Sequence, residues 1–189
     1  MSPQRADAVR NREILLGTAR QAVASGDLSL QLNEIARRTG MGVGTAYRHF
    51  PTRRALLEAL AAPAFAGVVA DARAAASHDD AWGAVAALLR GLLVRQLADA
   101  AFAEVIAADR ADDALPETTA LRVEFAALAR TVTDRARDAG VLRADLTDDD
   151  LHHLACGVVF ALGLSPDPGA RLDAYLRALL QGVRAPGPA

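Results

Sequence analysis

The chain has 189 residues and a formal net charge of −2 at pH 7; 52% of its residues are hydrophobic and only 4% are aromatic. That length suits one small unit beside one larger core, and abundant Ala, Leu and Val without strand-like alternation favour an all-α fold. The single cysteine, Cys156, excludes an internal disulfide and indicates a reducing compartment. Without an unbroken apolar run of 18 residues or a signal-peptide core, we expect a cytoplasmic protein with no membrane partner.

The charged residues are distributed unevenly. All 21 basic residues are Arg; residues 1–54 hold nine of them against four acidic residues, a balance of +5, whereas residues 55–189 hold twelve against nineteen, a balance of −7. A basic end on an acidic remainder is typical of a protein whose basic end approaches phosphate. For either half alone, solvated surface is the simpler explanation, so this interpretation depends on a motif in the basic half.

An amphipathic first helix over about residues 8–25 precedes a shorter one. The shorter helix begins near Gln31, and Glu34 three residues later resembles a weak capping box. Gly40 supplies the positive φ that ends a helix in a sharp turn. The apolar face of this helix has the three-and-four spacing of an α-helix and consists of Leu32, Ile35 and Ala36.

A second short helix is predicted from about Val43 to Phe50. It is too short to be stable alone and almost without apolar residues on its outer side, so its free face must bind something. Two short helices around a glycine turn predict a helix-turn-helix over residues 31–50, whose second helix enters the major groove of DNA.

The residues of this segment resemble a known family. The run from Thr45 to Arg53 (TAYRHFPTR), preceded by IARRTG from Ile35 to Gly40, resembles the signature of the tetracycline-repressor (TetR) family of bacterial regulators. The resemblance implies a three-helix DNA-binding domain over residues 8–68. It also implies a helical effector-binding and dimerisation domain over residues 69–185, which leaves 186–189 as a disordered tail.

The same resemblance implies the residues that contact DNA. Thr45 and Tyr47 match contacts to phosphate and sugar, and His49 matches a contact to the DNA backbone. Arg48 has the reach for a guanine edge or for a phosphate, and both alternatives stay open. The candidate set is Arg37, Val43, Gly44, Thr45, Tyr47, Arg48, His49, Arg53 and Arg54.

The remaining helices are predicted from capping residues and helix-breaking residues. A fourth helix is capped by Thr52 and runs into the seventies, with a kink or break at Pro63, and the next is capped by Asp79 or Asp80. A shorter helix follows, then a loop over residues 112–117 and a long helix over about 116–139. Thr147 and Asp150 form a capping box that opens a helix to about residue 162. A loop over 163–169 leads to the last helix, over about 170–183, for about nine helices in all.

The last two helices carry wide apolar stripes, which are either ordinary core or the interface of a homodimer. Because a helix-turn-helix gains affinity from two half-sites, and because the family resemblance points to the same helices, we predict the dimer. The predicted interface residues are Leu151, Leu154, Val158, Leu162, Leu172, Leu176, Leu179, Leu180 and Val183.

The resemblance also implies a pocket among the middle helices for a small apolar or aromatic effector. The candidate lining residues are Trp82, Leu89, Phe102, Ile106, Phe125, Leu128, His152 and Cys156, each of which is also compatible with plain core.

No cofactor or metal is expected, because His152 and His153 are adjacent and point to different sides of a helix. Catalysis is not expected either, since the glycines from Gly40 to Gly44 lack a preceding strand and the spacing of a nucleotide-binding loop. The alternatives to an effector-released repressor are an effector-independent architectural DNA-binding protein and a small helical enzyme.

Overall fold

The computed structural model describes residues 3–108 and 115–186. Within these ranges the chain forms nine α-helices and no strand, which confirms the all-α prediction. One isolated antiparallel bridge joins Leu142 to Arg184. The helices are α1 (Pro3–Ala24), α2 (Leu32–Thr39), α3 (Val43–His49), α4 (Arg53–Ala76), α5 (Ala81–Ala98), α6 (Ala100–Ala107), α7 (Pro116–Asp138), α8 (Asp148–Gly163) and α9 (Pro168–Val183).

Helices α1 to α3 form a small head around a shared apolar core. Gly40 ends α2 with φ of 68°, a left-handed conformation that glycine adopts without steric cost. The predicted capping box at the start of α2 is wrong: Gln31 makes no side-chain cap, and Glu34 instead pairs with Arg37 on the helix surface. The fully or almost fully buried residues of the head include Leu15, Ala19, Ile35, Ala36, Ala46 and Phe50.

Helix α4 belongs to both the head and the body. The Thr52 hydroxyl caps it by accepting a hydrogen bond from the Ala55 N–H at 3.0 Å. Of the kink or break predicted at Pro63, the break is wrong, because α4 continues through it to Ala76. Proline removes one helical hydrogen bond, and close packing against α5, α6 and α7 offsets that loss. At this level, Phe65 meets Phe102 of α6 edge to face, with 5.1 Å between ring centroids.

Helices α4 and α5 approach each other closely where glycine leaves room. A Cβ on Gly67 would lie 2.2 Å from a guanidinium nitrogen of Arg95. That guanidinium crosses Gly67 to bind Asp71 at 2.7 Å, so the glycine makes space for an ion pair between the two helices.

Helices α8 and α9 close the body. The capping box of Thr147 and Asp150 is confirmed in both directions. Helix α9 begins at Pro168, two residues earlier than predicted, because the Asp167 carboxylate caps it. Residues 112–114 of the predicted loop and residues 187–189 of the predicted tail lie outside the described residues, and α7 already begins at Pro116.

Two helices, α4 and α5, are long and apolar enough to cross a membrane by length and composition alone. In the described chain they are central helices of the bundle, and 61% of the apolar window of α4 is buried inside the fold. A core helix of a soluble protein passes the same test, so this is weak evidence for a membrane segment.

A buried carboxylate joins the head to the body. Glu58 has no exposed surface; its two oxygens accept hydrogen bonds from Arg54 Nε at 2.8 Å and from the backbone N–H of Leu115 at 2.6 Å. Arg54 lies one turn earlier in α4, and Leu115 precedes the first turn of α7. The start of α7 is therefore anchored to the part of α4 nearest the head.

We expect Glu58→Gln to lower the free energy of unfolding by about 3–5 kcal/mol, the usual cost of breaking a buried ion pair. The guanidinium of Arg54 would lose its counter-charge, and its Nη2 atom already lacks a hydrogen-bond partner. Urea unfolding at one fixed protomer concentration measures the change.

Glu124→Gln is the matched control, because the Arg73–Glu124 ion pair also joins α4 to α7 but has side chains that are 58% and 40% exposed. An exposed pair contributes about 0–1 kcal/mol. Equal losses in the two variants would contradict a special role for Glu58.

Candidate DNA-binding surface and effector cavity

Helix α3 presents one polar face to solvent. Val43 and Tyr47 are 46% and 43% exposed, whereas Ala46 is fully buried beneath them. Gly44 and Arg48 are exposed as well, and Thr45 and His49 are partly exposed. The short helix is held by its buried side and by Phe50, so the exposed side is available to a partner.

A polar depression connects this face with the start of α2. It has a volume of about 270 Å³. Tyr47 of α3 lines one side and Arg53, at the start of α4, lines the other. The remaining lining residues are Ser29, Leu30, Gln31, Leu32 and Asn33. Hydroxyl, amide and guanidinium groups in one depression are the donors that bind phosphate and sugar oxygens.

The two adjacent arginines at the start of α4 point in different directions. Arg53 is exposed; its Nε donates to the Ser29 carbonyl at 2.9 Å, and its Nη2 donates to Glu104 of α6 at 2.8 Å. Arg54 is turned inward to Glu58, with only 19% of its side chain exposed. Arg54 therefore fills an internal role in this structure, in contrast to the phosphate contact expected from the sequence.

The other candidate arginines are at the surface. The side chain of Arg37 is 75% exposed and pairs with Glu34 at 2.6 Å; such a surface pair contributes little and exchanges readily for another anion. Arg12 of α1, which the sequence analysis did not single out, lies 5.1 Å above the Phe50 ring. That cation–π contact fixes α1 against the end of α3.

A small apolar cavity lies between α5, α7 and α8. Its volume is about 60 Å³, room for a few water molecules. Of the eight predicted lining residues, Leu89, Phe125 and His152 line it. The other residues of the lining are Val85, Leu88, Leu92, Ala129, Thr133, Asp148 and Leu151.

The five other predicted pocket residues do not line this cavity. Phe102 is buried against Phe65, and Trp82 lies under the guanidinium of Arg184 at 4.9 Å. Ile106 is buried in core, and Leu128 is partly buried against it. Cys156 lies one turn of α8 beyond His152, so it is close to the cavity without facing it.

The polar residues of the cavity are held in place by neighbours. Asp148 accepts hydrogen bonds from Thr133 at 2.8 Å and from Arg137 at 2.7 Å. Burial alone would raise the pKa of Asp148, but these two hydrogen bonds hold it below its ordinary value. Burial lowers the pKa of His152, aided by His153 and Arg122. The ring is therefore neutral at neutral pH.

Most of the predicted dimer stripe is buried within the protomer. Leu162 and Val183 are at most 1% exposed, and Leu151, Leu176 and Leu179 are at most 7% exposed. These five residues face the core of their own chain, because the most apolar face of each helix packs inward. Leu172 and Leu180 are partly buried against the same core.

A different face of α8 and α9 is open. Leu154 is 42% exposed and lines a groove of about 510 Å³ with Val158 and Tyr175. Gly157 and Ala161 also line the groove, four residues apart on α8. Phe160 and Leu164 are exposed near the end of the helix.

Among the described residues, no three His, Cys, Asp or Glu side chains are grouped as a metal site would require.

The head matches known regulators in sequence. Residues 14–60 match the family model of the bacterial regulatory proteins, tetR family. Over 59 residues the chain is 39% identical to an HTH-type transcriptional regulator of Staphylococcus aureus (strain MRSA252). The match covers 30% of this chain and spans 31% of the length of that relative.

Solved structures match almost the whole chain. A TetR transcriptional regulator from Streptomyces coelicolor is 26% identical with a TM-score of 0.55, over 92% of this chain and 98% of that one. A tetR-family regulatory protein from Rhodococcus is 17% identical with a TM-score of 0.65, over 93% and 97%. FadR from Bacillus subtilis, solved in complex with stearoyl-CoA, is 14% identical with a TM-score of 0.60, over 90% and 98%.

The two more distant structures share the fold alone, whereas the head matches in both sequence and structure. The chain is thus similar to the bacterial regulatory proteins of the tetR family over residues 14–60, and it shares its all-α fold with solved regulators of that family.

Proposed function

We propose that the protein is a sequence-specific, DNA-binding transcriptional repressor of the cytoplasm that a small molecule releases from its operator. The observation that carries this proposal is the exposed face of α3, which presents Val43, Tyr47 and Arg48 above a buried Ala46. A helix this short has no structural reason to expose an apolar and an aromatic side chain side by side, whereas base edges and sugars in a major groove suit both.

Each candidate contact residue keeps its proposed role except Arg54. Val43 and Gly44 would meet base edges at the start of α3. Thr45, Tyr47 and His49 would bind the sugar-phosphate backbone, and Arg37 and Arg53 would add charge at the flanks. Arg54 supports the surface from below through Glu58.

Two copies of the chain are required for a two-fold operator, and the open face of α8 and α9 is the proposed interface. Gly157 and Ala161 have no bulky side chain, so a partner helix could approach closely between Leu154 and Val158. Packing this face against its symmetry copy would form a four-helix interface. The buried stripe that includes Leu176 would then support the interface from inside each protomer.

The effector would act by changing the position of α4. The cavity is bounded by α5, α7 and α8, and the start of α7 is bonded to α4 through Leu115 and Glu58. Helix α6 is bonded to the start of α4 through Glu104 and Arg53. A ligand that displaces α7 or α6 would therefore move the head, with a coupling of about 1–3 kcal/mol between ligand and DNA.

A gel-shift titration on the DNA upstream of the protein's own gene, at about 150 mM salt and with scrambled competitor, tests the proposal. We expect a competitor-resistant shift that an effector abolishes. Because a cavity of 60 Å³ is smaller than a typical ligand site of about 300–1,000 Å³, binding must enlarge it. A specific shift that no compound in a broad library reverses would favour the architectural alternative.

Arg48→Ala is expected to weaken specific binding, because it removes an exposed guanidinium from the face of α3. If Arg48 binds a guanine edge, preference at one base pair relaxes by about 1–3 kcal/mol. If it binds phosphate, all sequences weaken alike and the salt slope falls by about one. Binding titrations on single-base operator variants separate these outcomes.

Arg130→Ala is the control for Arg48→Ala, because it also removes an exposed arginine, with 74% of its side chain exposed, but from α7 of the body. It should leave operator affinity unchanged. Unchanged affinity in Arg48→Ala as well would show that this face of α3 does not bind DNA.

Leu154→Glu is expected to convert the dimer to protomers, because the new carboxylate would be desolvated in the proposed interface. Leu154 is 42% exposed in the protomer, so the fold itself should survive, whereas the buried Leu176 would not tolerate a charge. Light scattering measures the mass. Val123→Glu, at a 54% exposed position of α7, should stay dimeric; a dimeric Leu154→Glu would place the interface elsewhere.

A further inference from the structure

The cavity ends at His152, and a second polar group lies directly behind it. His152 lines the cavity, and its Nε2 atom is 3.7 Å from the Sγ atom of Cys156 on the next turn of α8. That sulfur is 3.9 Å from the Oε1 atom of Gln96 on α5. The side chains of His152, Cys156 and Gln96 therefore form a row that leads away from the cavity and towards α6.

The last group of this row is a hydrogen-bond donor without an acceptor. Gln96 is only 4% exposed, and its Nε2 atom has no hydrogen-bond partner. Burying an amide N–H without a partner is costly, so the great majority of buried polar groups are satisfied. An apolar residue of similar size would fit the α5–α8 contact without this cost, so the buried amide N–H is available to a hydrogen-bond acceptor.

The surroundings select for a neutral partner. The α5 wall of the cavity is Val85, Leu88, Leu89 and Leu92, one turn before Gln96. Burial lowers the pKa of His152, so the ring carries no charge at neutral pH. Burial also raises the pKa of the Cys156 thiol, which keeps it protonated. The three side chains of the row are thus neutral, and a carbonyl oxygen needs only the one donor that Gln96 supplies.

We propose that the effector is an apolar or aromatic compound with one terminal carbonyl oxygen, which accepts a hydrogen bond from the Gln96 amide after the side chains of His152 and Cys156 turn aside and open the cavity towards α6. The apolar body of the ligand would enlarge and occupy the space between Leu89 and Phe125. The carbonyl would bind where α5 meets α6, the helix that is bonded to Arg53 of the head through Glu104. This inference rests on the proposed effector-released function and adds the chemical class of the effector.

The first experiment needs no ligand. If the Gln96 amide N–H is unpaired in the free protein, Gln96→Met should raise its melting temperature by about 2–4 °C. The substitution removes an unsatisfied buried donor without loss of side-chain volume. Gln21→Met, at an exposed position of α1, should leave it unchanged. A lower melting temperature for Gln96→Met would show that the amide already stabilises the free protein and would overturn the inference.

The second experiment compares two probes of nearly the same shape, acetophenone and ethylbenzene, which differ by a carbonyl. Because Cys156 is the only cysteine of the chain, its alkylation by iodoacetamide, followed by intact mass, reports on this end of the cavity alone. Acetophenone should protect Cys156 at a concentration at least about tenfold lower than ethylbenzene, the discrimination that one well-made hydrogen bond supplies. In Gln96→Met the two probes should protect equally.

Equal protection by both probes in the wild-type protein, protection by neither, or an unchanged preference in Gln96→Met would each overturn the inference. The operator assay separates this failure from that of the proposed function. If a compound without a carbonyl releases the wild-type protein and Gln96→Met from DNA equally, the effector function stands and the carbonyl class is wrong. If no compound releases the wild-type protein while acetophenone still protects Cys156, the site stands and the release mechanism fails.

Discussion

The whole structure depends on the continuity of α4. The head packs against the first turns of this helix and the body packs against the rest, so both parts share one helix. Pro63 lies near the middle and would destabilise an isolated helix, yet α4 is continuous through it and packs against α5, α6 and α7. Glu58 is fully buried where these contacts begin. Because both parts share this helix, a change in the tilt of α4 would move the head relative to the body.

The features that were predicted from the sequence are those set by local geometry. The turn at Gly40, the cap at Thr52 and the capping box of Thr147 and Asp150 each depend on residues within four positions of one another. The apolar spacing of the helices likewise depends on one periodicity. Local rules failed at Pro63, where tertiary contacts outweigh the loss of one hydrogen bond. The cavity was predicted only in part because its walls come from three helices, and sequence spacing within one helix does not show which residues of another will face it.

The apolar stripes of α8 and α9 show a second limit of prediction from the sequence. An apolar stripe predicts burial but not the partner, and the strongest stripe of each terminal helix was used inside the protomer, as Leu162 and Leu176 show. The open face instead contains Gly157 and Ala161, whose weak hydrophobicity gave no signal. Arg53 and Arg54 show the same limit for charge. Neighbours on a helix point about 100° apart, so one arginine faces solvent and the other faces Glu58, although their composition and spacing are equivalent.

The bonds that join the head to the body differ in their exposure to solvent, and this has a consequence for ionic strength. The Arg53–Glu104 pair has side chains that are 42% and 35% exposed, so dissolved ions screen it over a Debye length of about 8 Å at physiological salt. The Glu58 contacts are shielded from the same ions. Added salt therefore loosens α6 from the head while α7 stays attached. In the proposed DNA complex, the salt dependence of operator affinity would therefore contain a contribution from the orientation of the head, in addition to the counterions that the phosphates release.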